Sequence, residues 1–428
     1  KMYTNGAASP NVPATTYFSG AGTILRVVDG VPSLLKISNS NTGTASSKFR
    51  TDLTSTIYVG QSSIALHVEQ KSYVRFSHSS LSFKLVNIAG GTTMEMSAST
   101  TVSVSESTSV SGMLKSGSPL SWHSKTLAVS GTVSTTTGSS SGLMMTLNGD
   151  GSTDASSVSG IITAPSSTVT LKAASHGLSV TGTGTVLSAS STSLEAKSIS
   201  IGGKVYCSNN GCLVNATSLI GSLTSTGAGT IYAKQNDGYT DANGRVILRA
   251  TAAGVALQSS TQVGAETIDV HAKTSVSIES KTIMRGGTIQ VDAAGSIDVS
   301  GKVDASGVNV DYSSPGSGVT GSGITTDDYY GGSGGSHGGI GAGRDKLSGC
   351  IGSVTSPWHY GGCGGRSGRN ARHGGSGGGR VRITAGTTLT INGAVLANGA
   401  NGWNHGGRYE NGAGGGGAGG SIQLEAKS

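Results

Sequence analysis

The sequence predicts an all-β protein: a parallel β-helix, or β-solenoid, with an N-terminal β cap and glycine-rich loop insertions. Three observations lead to this prediction. Apolar and polar residues alternate at period two over many short segments, a related pattern recurs along the chain, and aromatic residues make up only 4% of the 428 positions. A chain with so few large side chains must bury thin, repetitive cores, because it cannot fill one large core.

The repeat is clearest between residues 288–307 and 380–400. Each segment has an alternating strand, a turn at Ala293 or Ala385, a second strand, and a third short strand that follows a glycine. Looser copies begin at three other threonines, Thr168, Thr192 and Thr267. The period of about 20 to 24 residues is typical of a solenoid, in which each coil buries its apolar face by stacking on the next.

Composition excludes several other classes of protein. Val, Ile and Thr are plentiful and only 12% of residues are charged, which argues against a disordered chain. No apolar run reaches the ~18 residues of a membrane span, so membrane insertion is not expected. The net charge of +7 is spread over 428 residues, and the sequence has no regular series of aromatic residues between its basic ones. These features favour solubility, or contact with an acidic surface of another molecule, over nucleic-acid binding.

We expect four regions along the chain. Glycine runs interrupt the strand pattern over residues 313–379, which predicts a disulfide-containing loop region between solenoid coils at 92–312 and terminal coils at 380–428. A distinct β cap with its own core is predicted over residues 1–91, because terminal repeats commonly differ from internal ones. This first region holds all the phenylalanines, Phe18, Phe49, Phe76 and Phe83.

The four cysteines fall into two local pairs. Cys207 and Cys212 flank a short turn, and Cys350 and Cys363 flank a 12-residue loop. Two local disulfides would staple loops that lack a core, and they would place the protein in an oxidising, extracellular compartment. The alternative is a tetrahedral zinc site, for which the candidate ligands are Cys350, Cys363, His359 and His373.

Two further local patterns concern modification and calcium. Asn215 begins an Asn-Ala-Thr sequon, which predicts N-glycosylation if the protein is exported. Residues 236–244 and 148–154 place oxygen ligands at alternate positions, as a calcium loop would. Because neither has the closing Glu of an EF-hand, and Asn, Asp and Gly also make tight turns, we interpret both as turns.

The aromatic residues of the glycine-rich loops are the candidate contact residues. Exposed aromatic side chains supply a large apolar area to a partner subunit. The residues predicted to lie at such an interface are Trp358, Tyr360, Trp403 and Tyr409.

An enzyme is the weaker interpretation. Polygalacturonase-like β-helical enzymes combine paired aspartates, a His-Gly element and a basic element, and the nearest counterparts here are Asp327, Asp328, His337 and Arg380. The additional Asp motif and the Lys of those families are absent, and adjacent aspartates before a glycine loop more often form a solvated turn. We therefore predict no catalysis and no cofactor.

The segment from Ser421 to Lys427 matches only the first strand of the repeat, so the sequence stops in mid-coil. An open solenoid end exposes a strand edge that can pair with another chain, and contact between unlike ends generates a filament. Ile422 and Leu424 are therefore predicted interface residues. The alternative is that the chain is a fragment.

The segments GGGGAGGSIQLEA from Gly414 and GGSGGGRVRITAGTTLTINGAVLANGANG from Gly374 resemble glycine-rich β-solenoid extracellular proteins of protists, plants and bacteria. Among these, the sequence is similar to flagellar-hair (mastigoneme) and cell-surface filament proteins of protists. The resemblance covers about 55 residues well. It implies a glycosylated extracellular or cell-surface filament subunit, whose partners are other copies of itself, other filament proteins and glycans. The alternative function is a rod-like adhesin or a carbohydrate-binding surface module.

Overall fold

The computed structural model describes part of the chain, and all structural statements below refer to that part. It comprises residues 2–3, 22–28, 31–38, 50–53, 63–69, 72–136, 142–149, 155–207, 211–216, 223–225, 230–233, 244–258, 260–307, 334–335, 337, 358–365, 374–402 and 414–427. Within these ranges the protein is all-β, with 38 strands and no helix. The parallel β-solenoid that the sequence predicts is confirmed.

The chain divides into two compact units, Lys1–Leu223 and Thr224–Ser428. The strands of the first unit are β1 (Met2–Tyr3), β2 (Gly22–Val28), β3 (Val31–Ser38), β4 (Arg50–Leu53), β5 (Ala65–Glu69), β6 (Tyr73–Phe76), β7 (Ser80–Phe83), β8 (Leu85–Ile88), β9 (Thr93–Met96), β10 (Thr100–Val104), β11 (Ser107–Val110), β12 (Met113–Ser116), β13 (Leu120–Ser124), β14 (Thr126–Val129), β15 (Thr132–Thr135), β16 (Leu143–Leu147), β17 (Ala155–Val158), β18 (Ile161–Ala164), β19 (Val169–Val180), β20 (Thr185–Ser188), β21 (Ser191–Ile201), β22 (Lys204–Cys207) and β23 (Gly211–Ala216).

The boundary between the units falls within β24 (Leu223–Ser225). The strands of the second unit are β25 (Thr230–Ala233), β26 (Arg245–Ala250), β27 (Val255–Leu257), β28 (Gln262–Gly264), β29 (Thr267–Ala272), β30 (Val276–Ile278), β31 (Ile283–Arg285), β32 (Thr288–Ala293), β33 (Ile297–Val299), β34 (Lys302–Asp304), β35 (Arg380–Ala385), β36 (Leu389–Ile391), β37 (Ala394–Leu396) and β38 (Ser421–Ala426).

A typical coil of the first unit contributes three short strands, each paired in parallel with its counterpart one coil away. Thus β10, β11 and β12 pair with β7, β8 and β9 on one side and with β13, β14 and β15 on the other. Alternate residues point inwards and stack in register, which is why period-two alternation marks these strands. One inward row, nearly or completely buried throughout, is Leu81, Val102, Trp122, Met145, Leu171 and Leu194.

The predicted cap over residues 1–91 is not found at that boundary. Strands β1, β2 and β3 pair antiparallel, but β3 pairs in parallel with β5, and β4 with β6. Phe76 and Phe83 lie in the solenoid core, with their rings edge to face and their centroids 6.1 Å apart. These phenylalanines therefore fill the interior of early coils rather than a separate core; Phe18 and Phe49 lie outside the described residues.

The second unit is built from the same kind of coil, and it confirms the predicted match between residues 288–307 and 380–400. Strands β32 and β35 pair residue by residue, from Thr288 with Arg380 to Ala293 with Ala385. Similarly, β33 pairs with β36 and β34 with β37. The strands that precede residue 305 and those that follow residue 379 therefore belong to adjacent coils.

Glycine-rich segments pack against the second unit as a layer of main chains, which we call the glycine layer. Its described segments are residues 358–365, 374–379, 397–402 and 414–420. Hydrogen bonds from main-chain N–H groups recur at every third residue: Gly361 and Gly364 donate to Gly378 and Gly375, and Gly375 and Gly378 donate to Gly415 and Ala418, all at 2.8 Å. The main chains approach so closely that a Cβ on Gly375 would lie 1.9 Å from the Ala400 carbonyl oxygen, and one on Gly378 would lie 2.0 Å from that of Ala397, so only glycine fits at these positions. The glycine runs are therefore a packed element in their own right.

Candidate functional site

The last described strand, β38, carries the most exposed apolar residues of the second unit. Ile422 and Leu424 are 39% and 47% exposed, whereas Val381 and Ile383, their partners in register on β35, are completely buried. Both therefore occupy positions that face the interior in preceding coils.

The main chain of this strand is also open along one edge. In the described part of the chain β38 pairs with β35 and with no other strand. The other strands of the last coil, β36 and β37, are only partly buried. An unpaired edge next to an exposed apolar row is a template for a further strand. Ile422 and Leu424 are exposed in the structure, and their place at an interface stays a prediction.

A second candidate site surrounds Arg380, at the start of β35. The guanidinium carbon of Arg380 lies 4.9 Å from the ring centroids of both Trp358 and Tyr360. A planar cation at this distance is attracted by the negative face of an aromatic ring. Both rings are half-buried, so the predicted contact residues Trp358 and Tyr360 already pack within their own chain.

Hydrogen bonds connect Arg380 to a partly buried carboxyl. The Arg380 Nε donates to Thr288 Oγ1 at 3.0 Å, and Thr288 Oγ1 lies 2.5 Å from the hydroxyl of Tyr360, which is hydrogen-bonded to Glu266. Each hydroxyl has one hydrogen and an ionised carboxylate only accepts. The bonds therefore run in one direction, from Arg380 through Thr288 and Tyr360 to Glu266.

Burial raises the pKa of the Glu266 carboxyl above its ordinary value, because the surrounding protein disfavours the charged form. The hydrogen bond from Tyr360 and the positive charge of Arg380 both act in the opposite direction. A Cβ on Gly287 would lie 2.4 Å from a Glu266 carboxylate oxygen, so the glycine makes room for this side chain.

Stability should depend on the ionisation of Glu266. A raised pKa in the folded state means that the folded protein binds this proton more tightly than the unfolded chain. The contribution is complete below the ordinary pKa of glutamate and is lost as the pH rises through the raised value. Glu266→Gln is therefore expected to gain stability relative to the wild type as the pH is raised from about 4 to 8, measured by denaturant unfolding.

Glu106→Gln is the control for that experiment, because this carboxylate is about half exposed and lies 3.5 Å from Lys84 in the first unit. The gain should be absent from the control. A constant difference between Glu266→Gln and the wild type over the whole pH range would contradict the prediction.

Ser421 joins the two candidate sites. Its hydroxyl donates to the carbonyl of His359 at 2.6 Å and accepts from the N–H of the same residue at 3.0 Å. His337 lies beside them, with Nε2 3.2 Å from Ser421 Oγ and Nδ1 3.3 Å from the Tyr360 carbonyl. The start of β38 is thereby tied to the segment that carries Trp358 and Tyr360.

The predicted disulfides have different outcomes. Cys363 is present as a half-buried thiol, so the predicted Cys350–Cys363 bridge is not formed. Hydrogen bonds of the glycine layer hold the segment instead, on both sides of Cys363, through Gly362 and Gly364. Cys207 is buried at the end of β22, whereas the side chain of Cys212 is outside the described part of the chain, so their pairing stays a prediction.

Several predicted site residues also lie outside the described residues: Cys350, Trp403, Tyr409, Asp327, Asp328 and His373. The sequon residue Asn215 lies within strand β23, in register with Glu195, rather than in a loop. Across the described ranges, no group of three or more His, Cys, Asp or Glu side chains could hold a metal ion.

Sequence reasoning missed Glu266, and it assigned Thr288 and Ser421 no role in a site. One signal was present. Thr288, Arg380 and Ser421 occupy the same first position of three successive copies of the alternating strand, so parallel stacking places them side by side. Nothing in the local sequence indicates that Tyr360 or Glu266 joins that row.

No protein-family model, curated protein or solved structure matches this chain. The described residues also contain no apolar helix of membrane-spanning length.

Proposed function

We propose that the chain is a structural protomer of an extracellular filament, glycosylated at Asn215, which assembles head to tail by strand pairing at the solenoid ends. The observation that carries the proposal is the exposure of Ile422 and Leu424 at interior-facing positions of β38. A filament contact at this point would continue the stacking that already joins β35 to β38.

The physical gain from such a contact has two parts. Ile422 and Leu424 are 39% and 47% exposed, so burying what remains of each side chain contributes about 1 kcal/mol. Main-chain N–H and C=O groups along the open edge would also find partners. Both gains require a parallel or antiparallel strand that presents apolar residues at alternate positions.

We assign this strand to the N-terminal segment of a second copy of this chain. It would have to present apolar residues to β38 in the register that β35 does. The surface that receives β38 differs from β38 itself, so the contact is heterologous and propagates as a filament unless the rotation closes a ring. The Ser421 contacts hold β38 in position for pairing.

Charge on the exposed row should abolish assembly. In the double variant Ile422→Lys, Leu424→Lys, two ammonium groups would have to be desolvated in the contact, at a cost that exceeds the gain from pairing. Sedimentation and electron microscopy of the unreduced protein should show filaments for the wild type and single protomers for the variant. A wild type that stays monomeric at all concentrations would overturn the proposal.

Gln423→Lys is the matched control. Gln423 lies between the two apolar residues on the same strand but in the outward-facing row, in register with Arg382. The same ammonium group at this position should leave assembly intact. If this control prevents filament formation as completely as the double variant does, the loss of assembly is caused by the added charge and not by the loss of the apolar row.

A further inference from the structure

Arg380 has hydrogen-bond donors that its own protein does not use. A guanidinium group carries five N–H donors, one on Nε and four on the two terminal nitrogens. The Nε donor is taken by Thr288. Among the described residues no acceptor bonds to the terminal nitrogens, whose remaining contacts are the rings of Trp358 and Tyr360. The terminal nitrogens form a planar fork that is available to a ligand.

The orientation of this fork is fixed before any ligand arrives. Two aromatic rings flank the guanidinium at 4.9 Å, and the Thr288 hydroxyl holds Nε at 3.0 Å. The Tyr360 ring is itself held by its hydrogen bonds to Thr288 and Glu266. A long arginine side chain normally loses much conformational freedom on binding, so this preorganisation lowers the cost of capturing a ligand.

We propose that Arg380, Trp358 and Tyr360 form a binding site for the carboxylate of an acidic sugar, such as the uronic acid units of an acidic polysaccharide. The two oxygens of a carboxylate match the two terminal nitrogens of arginine in a bidentate pair. Trp358 and Tyr360 are half-exposed and offer apolar ring surface beside the fork, on which a sugar ring can pack. The net charge of +7 attracts polyanions to the protein.

The surroundings of Arg380 are compatible with an anion. Among the described residues, Glu266 is the carboxyl that interacts electrostatically with Arg380; it is partly buried, and its hydrogen bond is to Tyr360 and not to the guanidinium. His359 is exposed between Trp358 and Tyr360 in the chain, and its main chain is fixed by Ser421. The rim of the site therefore carries an imidazole and no carboxylate among the described residues of segment 358–365.

Calorimetric titration of the full chain with an oligomer of a uronic acid tests the proposal. The wild type should bind the oligomer, and binding should weaken as salt is added. A neutral oligomer of glucose, of equal length, should not bind, and acetate alone should bind far more weakly. Arg380→Lys keeps the charge but loses the fork, and should weaken binding about tenfold or more; Arg380→Gln should abolish it.

Arg249→Gln is the matched control for charge. Arg249 is an exposed arginine on β26 of the same unit, so Arg249→Gln lowers the net charge of the protein by one, as Arg380→Gln does. It should leave the affinity unchanged. Equal loss of affinity in Arg249→Gln and Arg380→Gln would overturn the proposal, since binding would then follow net charge. Two results would overturn the assignment to sugar carboxylates. One is that a sulfated oligomer binds more tightly than the uronate oligomer, and the other is that acetate binds as tightly as the uronate oligomer.

Hydrogen exchange distinguishes a lost site from a lost fold. Amide protection at Gly375 and Gly378 reports whether the glycine layer is intact, and Arg380→Lys is expected to retain it. Binding by Arg380→Lys at wild-type strength, with the layer intact, would contradict the role of the fork. The site does not depend on filament assembly, so the Ile422→Lys, Leu424→Lys variant should bind the uronate oligomer as the wild type does.

Discussion

Gly377→Ala is expected to disrupt the glycine layer. A Cβ at this position would lie 1.7 Å from the carbonyl oxygen of Gly361, and main chain cannot move aside as a flexible side chain can. The hydrogen bonds from Gly361 to Gly378 and from Gly364 to Gly375 would have to open. We expect the layer to lose about 3 kcal/mol or more of local stability, seen as faster hydrogen exchange at Gly364, Gly375 and Gly378.

Gly416→Ala provides the matched control within the same layer. The nearest atom to a Cβ there is the carbonyl oxygen of Ala400 at 4.0 Å, an ordinary van der Waals contact. Because the substitution adds the same methyl group without a clash, we expect a change of less than about 0.5 kcal/mol. Equal effects of the two substitutions would show that close backbone approach does not hold the layer together.

Trp122→Ala is expected to cause the largest loss in the core of the first unit. Trp122 is completely buried, and its inward-facing ring stacks between Val102 and Met145 in adjacent coils. Its Nε1 donates to the buried Thr108 hydroxyl at 2.9 Å. Removing the indole leaves a large cavity and an unpaired hydroxyl, so denaturant unfolding should report a loss of about 3 to 5 kcal/mol.

Two companion variants separate the contributions. Met144→Ala, at an exposed position on β16, should change the free energy of unfolding by less than about 0.5 kcal/mol. Thr108→Val keeps the packed volume but leaves the buried indole N–H without its acceptor, which should cost about 1 to 3 kcal/mol. If Trp122→Ala costs no more than Met144→Ala, the stacked inward row does not stabilise the solenoid.

Much of the fold could be predicted because a solenoid coil is specified locally. Alternation along β32 and β35 indicates which residues point inwards, and the similarity of residues 288–307 and 380–400 indicates which strands stack. The same argument places Ile422 and Leu424 in inward-facing positions, since they are in register with the buried Val381 and Ile383.

The predictions that failed concerned elements without a repeating pattern. Phe76 and Phe83 were interpreted as the core of a cap, but the solenoid interior in the early coils accepts two aromatic rings edge to face. The sequence predicts a Cys350–Cys363 disulfide because a glycine-rich loop has no apolar core to stabilise it. In the structure, main-chain hydrogen bonds stabilise the segment that contains Cys363. Patterns of apolar residues in a sequence do not reveal where main chains pack against each other.

By itself, the sequence determined the solenoid and the inward rows of its repeats, because each depends on residues within one coil or on matching positions of successive coils. Only the tertiary structure decided the cluster around Arg380. Thr288 is 72 residues from Tyr360 and 92 residues from Arg380 in the sequence, yet it is hydrogen-bonded to both. Segment 358–365, which carries Tyr360, is held by hydrogen bonds between glycine main chains, and glycines have no side chains that would indicate their partners in the sequence.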